Sequence, residues 1–324
     1  MEKNWIIGIG LLGIIIVGTI IFSSGQHSMN FAKKSDGNEQ PFAASTTDLN
    51  IAAGRVSHNL IMTAATAKPV ETILVYKTLP PVVNNESTLA LAKKFNVTGT
   101  LREGAVVQSK DLRFGVEVSK NSGSVIYSDQ DRPNEAMDSP EKLPSDEEAV
   151  KIATQFLKDR ELLPEGAYFS GTEREYARST DKSGKELLHY GVIIVWYGRH
   201  LNGLNVEGTK ISLDIEGGGD VGDYYSNWRN YEQYKEYPII SPDDAFNQLK
   251  EKGVGVGMND KDAMVSIDDV YLAYHSKAGA YKEDYLEPVW MFKGDVHVDG
   301  KAVMPVQAYV PALTEESVKS LSSS

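Results

Sequence analysis

The chain has 324 residues, a formal charge of −12 at pH 7, 41% hydrophobic residues and no cysteine. Without cysteine there is no disulfide frame, no lipoprotein anchor and no thiolate metal site. The acidic balance speaks against nucleic acid and anionic lipid surfaces and favours protein or cation partners, although acidity also simply keeps a protein in solution.

From Trp5 to Phe22 the chain carries no charge (WIIGIGLLGIIIVGTIIF). Coiled at ~1.5 Å per residue, that run reaches roughly the ~30 Å of a bilayer core. A cleaved signal peptide has a shorter apolar run and ends in an A-x-A-like site, for which Ser23-Ser24-Gly25 is a mediocre candidate. Residues 1–25 therefore read as a transmembrane anchor. Lys3 against Glu2 on one flank, and Lys33 with Lys34 on the other, leave the charge rule for orientation undecided. The expected placement is the cell membrane, single-pass, with the soluble body extracytoplasmic. Gly8-Ile-Gly10-Leu-Leu-Gly13 matches G-x-G-x-x-G, but no strand precedes it, so a dinucleotide site is excluded by context.

Residues 26–68 are rich in small polar side chains and read as a flexible tether with a short helix through Leu49–Thr66. Residues 69–133 suggest a degenerate N-terminal α+β unit. It has a strand over Glu71–Tyr76, a helix over Ser87–Phe95, and a hairpin of Asp111–Val118 with Ser124–Ser128 around Asn121-Ser-Gly123. The acidic stretch Asp129–Pro144 reads as a linker.

An internal repeat then follows. Ser145-Asp-Glu-Glu-Ala149-Val150 recurs as Ser241-Pro-Asp-Asp-Ala245-Phe246. Each begins with an N-capping serine, and Glu148 or Asp244 stands three residues on, as in a capping box. Pro242 suits the first helical position. Ala149, Ile152, Ala153, Phe156 and Leu157 fall on one stripe of the first helix; Ala245, Phe246 and Leu249 line the second, which Gly253 ends. The first copy, residues 143–237, continues with strands over Glu173–Arg178, Leu187–Tyr197 and Thr209–Ile215, turning at Asn202-Gly203 and Gly217-Gly218-Gly219. The second, residues 238–313, continues over Val270–His275, Leu286–Phe292 and Ala302–Val310, turning near Gly279 and at Asp299-Gly300. Val195-Trp196 and Val289-Trp290 occupy matching places, both in runs apolar on both faces, which predicts core. Residues 314–324 form a polar tail. The predicted fold class is α+β: an anchor helix followed by tandem units, each one helix packed on an antiparallel sheet.

No His-Glu-x-x-His, G-x-S-x-G, phosphate loop or calcium loop is present. The six histidines are scattered without helical metal spacing. Gly253, Gly255 and Gly257 read as a helix stop. No catalytic, cofactor or metal residue is expected. The remaining candidates are aromatic: Tyr224, Tyr225, Trp228, Tyr231 and Tyr234 form a dense tract continued by Tyr237. They serve either to seal a junction or to form an exposed recognition strip, where Tyr and Trp supply binding energy.

Tyr197-Gly-Arg-His-Leu-Asn-Gly-Leu-Asn-Val-Glu-Gly-Thr-Lys-Ile-Ser-Leu-Asp-Ile, with the S-x-x-E-A helix before it, resembles the hairpin of PepSY and FTP-type modules. Tyr285-Leu-Glu-Pro-Val-Trp-Met-Phe-Lys-Gly and Gln307-Ala-Tyr-Val-Pro-Ala are similar to segments of YycH/YycI-type membrane-anchored regulators. The resemblance spans roughly residues 70–313 and implies non-catalytic modules that restrain a peptidase or a sensor kinase. No metallopeptidase domain is expected after Ala312, so a target would be met in trans. The expected function is a membrane-anchored extracytoplasmic binding and regulatory protein. A small-ligand carrier or surface enzyme with a site between the repeats, and a structural envelope component, are the alternatives.

Overall fold

The computed structural model describes residues 56–65, 67–68, 70–130, 139–180, 184, 186–256 and 263–322. The predicted anchor at residues 5–22 lies outside them, as does most of the tether. Among the described residues no helix is long and apolar enough to cross a membrane. That finding runs against the expected single-pass, extracytoplasmic placement.

The chain divides into two compact units. The first is Pro80–Asn230 with Lys277–Lys282; the second takes the described residues up to Leu79, then Tyr231–Ser276, and those from Glu283 onward. In chain order the second unit begins with β1 (Val56–Ser57), β2 (Leu60–Met62) and β3 (Thr72–Thr78). The first two stand where composition predicts a short helix ending at Thr66. Leu60 is buried and aligns parallel to the strand that carries Val265, so long-range pairing overrides local polarity there.

The first unit follows. α1 (Asn85–Lys94) leads to β4 (Gly99–Arg102), β5 (Val106–Ser109), β6 (Phe114–Val118) and β7 (Val125–Asp129). Next come α2 (Asp146–Asp159), β8 (Ala167–Thr180), β9 (Glu186–Leu201), β10 (Leu204–Glu207), β11 (Lys210–Ile215) and β12 (Val221–Asn227). Its strands pair antiparallel in the order β4-β5-β6-β7-β12-β11-β9-β8. Asn202 and Gly203, at φ 51° and 77°, turn β9 into β10. Their left-handed backbone matches the right-handed twist of a two-residue hairpin.

The helix starts are fixed locally. Ser145 Oγ accepts from the Glu148 amide at 3.3 Å while Ser145 N donates to Glu148 Oε2 at 2.9 Å. The Asn84 side chain and Ser87 close a similar box at the head of α1, each bond 3.0 Å. The α2 stripe buries Ala149, Ala153 and Leu157 completely, in one core with Phe95, Val116, Ile193, Leu213 and Tyr224. Burying Leu157 alone contributes roughly 2 kcal/mol.

The second unit resumes with β13 (Tyr231–Pro238), α3 (Pro242–Lys252), β14 (Val254–Gly255), β15 (Met264–His275), β16 (Tyr285–Val298), β17 (Lys301–Pro311) and α4 (Glu315–Ser322). β16 lies between β15 and β17, and its first residues pair with β3, which also pairs with β13. Trp290, 1% exposed, donates its indole N–H to Ile240 O at 3.0 Å.

The predicted fold class needs correction. Among the described residues the fold is mostly β, with 50% strand and 20% helix. Nor are the helices distributed one to a sheet: β7 pairs with β12, Tyr127 opposite Tyr224, so α1 and α2 share one sheet and one core. The strands outgrow the predicted segments because β-branched and aromatic residues continue past them. β8, β9 and β16 run to 14, 16 and 14 residues.

Candidate functional site

A groove of about 600 Å³ opens in the first unit where both helices end. Phe95, the C-cap of α1, lies on its floor, stacked on Tyr127 at 4.7 Å with 12° between the rings. Tyr224 meets Phe95 at 5.2 Å and Phe156 of α2 meets it at 6.2 Å. Tyr224 is 4% exposed, and burial pushes its hydroxyl up to about 12, so it is a neutral ring in the core beside the groove floor.

Charged groups line the same groove. Arg113 grips Asp129 with two parallel bonds, Nε to Oδ1 and Nη2 to Oδ2, both 2.7 Å. Bidentate pairing fixes both planes and neutralises the two charges. Arg160, the C-cap of α2, lays its guanidinium 3.9 Å over the Phe156 ring. Its Nε is buried and has no hydrogen-bond partner. Glu216, buried, and Asp220, joined by the turn Gly217–Gly219, also line the groove. Gly218 and Gly219 take φ of 88° and 87°, a backbone that side chains other than glycine adopt at a cost. Lys94 Nζ reaches Glu161 O at 3.0 Å and its carboxylate at 3.3 Å, tying the ends of α1 and α2 together.

The groove thus offers aromatic surface, one guanidinium with an unsatisfied donor, and carboxylates. In such a lining apolar area supplies affinity, and a few convergent polar groups fix orientation. Among the described residues, no group of three His, Asp or Glu side chains is placed to hold a metal ion.

The aromatic tract is distributed over both units. In the first, Tyr224 faces the core, while Tyr225, one residue on, faces the other side of the sheet, where Lys210 lies over its ring at 5.7 Å. Trp228 is half-buried, with Arg199 4.8 Å over its ring. In the second unit the Tyr231 hydroxyl bonds to Ser276 Oγ and Glu283 Oε1, each at 3.0 Å. Tyr234 is 41% exposed, with Tyr237 stacked on it at 6.4 Å and Tyr285 tilted against it at 5.4 Å. Trp290 is core as predicted, but Trp196 is half-buried.

Arg113, Asp129 and Arg160 carry no motif, and their sequence neighbourhood singles out none of them. The one local signal at the groove is the triple glycine of residues 217–219, which reads only as a turn.

No protein-family model matches the chain, and no curated protein matches it. The resemblance to PepSY and YycH/YycI-type modules therefore gains no support from these comparisons. Among solved structures, the crystal structure of an uncharacterized protein from Eubacterium rectale is similar at 12% identity and a TM-score of 0.41, over 79% of this chain and 88% of that one. A likeness at that level carries no argument.

Proposed function

We propose that the chain is a non-enzymatic binding protein that modulates a partner in trans by holding one of its peptide segments in the first unit's groove. The supporting observation is the pairing of an aromatic floor (Phe95, Phe114 and Tyr127) with a guanidinium, Arg160, whose Nε donor is buried without an acceptor. A peptide brings what that lining lacks. Its carbonyls are acceptors for Arg160, its amides are donors for the carboxylates, and its apolar side chains cover the rings. The mixed charge of the lining suits a segment with both donors and acceptors better than a purely anionic ligand.

A second reading has one observation behind it: about 600 Å³ also falls within the range of small-molecule pockets. Selection from a random 12-residue peptide library by the purified chain separates the two. The peptide reading expects a consensus with aromatic residues that Arg160→Glu fails to enrich while melting within a few degrees of the parent. A library that yields no consensus, or one enriched equally by Arg160→Glu, removes it.

A further inference from the structure

We propose that Lys210 is an acylation site, whose amine takes an acyl group from a small activated donor such as an acyl phosphate. It lies on the sheet face opposite the groove floor and is independent of the binding reading above. The placement follows from strand register. Ser212 of β11 pairs with Trp196 of β9 on one side and Tyr225 of β12 on the other. Lys210 stands two residues before Ser212 and shares its face. The two rings converge on its amine, with Nζ 4.5 Å from the Trp196 centroid and 5.7 Å from that of Tyr225. No hydrogen bond or close ion pair to a described residue holds that amine, unlike Lys94, which spends its charge on Glu161.

Two consequences favour acyl transfer. An ammonium is stabilised by the ring faces but deprived of water by the walls, and here desolvation is the larger effect. Burial holds the amine down at about 8, against the opposing pull of the Glu173 carboxylate. A larger fraction is therefore the free base at neutral pH, the form that attacks. The product also fits the place, because a neutral amide between two rings no longer bears the desolvation penalty of a cation. In the step, the nitrogen lone pair attacks the acyl carbon and the C–N bond forms. The C–O bond to phosphate breaks, phosphate leaves with the electron pair, and the nitrogen proton passes to solvent. Lys210 is half-buried rather than sealed, which leaves an approach for a small donor.

The test treats the intact chain with acetyl phosphate at pH 7.5 and follows each lysine by peptide mass spectrometry, once native and once in guanidinium chloride. Lys319, whose side chain is 78% exposed, is the internal standard. In the native protein Lys210 is expected to acetylate at least about tenfold faster than Lys319. In denaturant the two rates should converge, because the advantage comes from the ring environment. Native labelling of Lys210 at or below the rate of Lys319 overturns the assignment. So does an advantage that survives unfolding, since it would then belong to local sequence.

Discussion

Asp129 at the end of β7 accepts from Arg113 Nε and Nη2, both at 2.7 Å, and the pair closes one wall of the groove with the Asp129 side chain only 10% exposed. The geometry is planar and twofold, so a lysine cannot reproduce it. Arg113→Lys is expected to cost about 1–2 kcal/mol, measured by urea unfolding, because Asp129 keeps a point charge but loses a directed bond. An unchanged midpoint would show that water replaces the lost donor at no cost.

A larger loss is expected at Arg229, which is 2% exposed. Its Nη1 donates to Lys277 O at 2.6 Å and Asn227 Oδ1 at 3.0 Å; its Nη2 donates to Ala278 O at 3.1 Å and Tyr281 O at 2.7 Å. Substitution by methionine keeps much of the volume but takes one donor from each of three carbonyls; Lys277 O keeps Asn227 Nδ2 and Ala278 O keeps the Tyr281 amide, while Tyr281 O loses its Arg229 partner. Roughly 3 kcal/mol or more should be lost in denaturant melts. A loss below ~1 kcal/mol would show that the segment 277–282 has other support.

Much of this local structure is legible in the amino-acid order, and most of the assembly is not. Ser145 with Glu148, and Asp299-Gly300 at φ 50° and 74°, act within a few residues, so the helix start and the hairpin are readable. Tyr127 opposite Tyr224 joins segments almost a hundred positions apart, and nothing near either residue specifies the partner. That one pairing turns two expected helix-on-sheet units into one sheet carrying two helices. The same limit hides the groove, whose Arg113, Phe156 and Glu216 come from three separate stretches. Trp196 and Trp290 occupy matching places in sequence, yet Lys210 sits over the ring of one while the other is sealed in the core. Repetition in the sequence does not carry over to equal burial.

Glu117 sets a pH dependence. It lies on β6 at 8% exposure, and burial pushes its carboxyl up to about 7. The folded chain therefore retains a proton that the unfolded chain releases near 4.5, so this residue removes stability as pH rises from about 4.5 to about 7. Glu117→Gln abolishes that loss. The variant should exceed the parent by roughly 1–2 kcal/mol at pH 8, allowing for partial solvation, and match it near pH 4. An equal difference at both pH values would place the effect in packing.

The cap of α2 gives a smaller, local test. Ser145→Ala removes the acceptor for the Glu148 amide and is expected to cost about 1 kcal/mol. Exchange of the first-turn amides of α2 should quicken while those of α1 stay unchanged.

The binding claim is tested most directly at Ile152, on the groove wall beside Phe156. A library-selected peptide titrated into chain labelled at isoleucine δ1 methyls should shift the Ile152 resonance saturably, and leave Ile267, buried in the second unit, unmoved. A peptide that saturates binding without moving Ile152 would contradict the account.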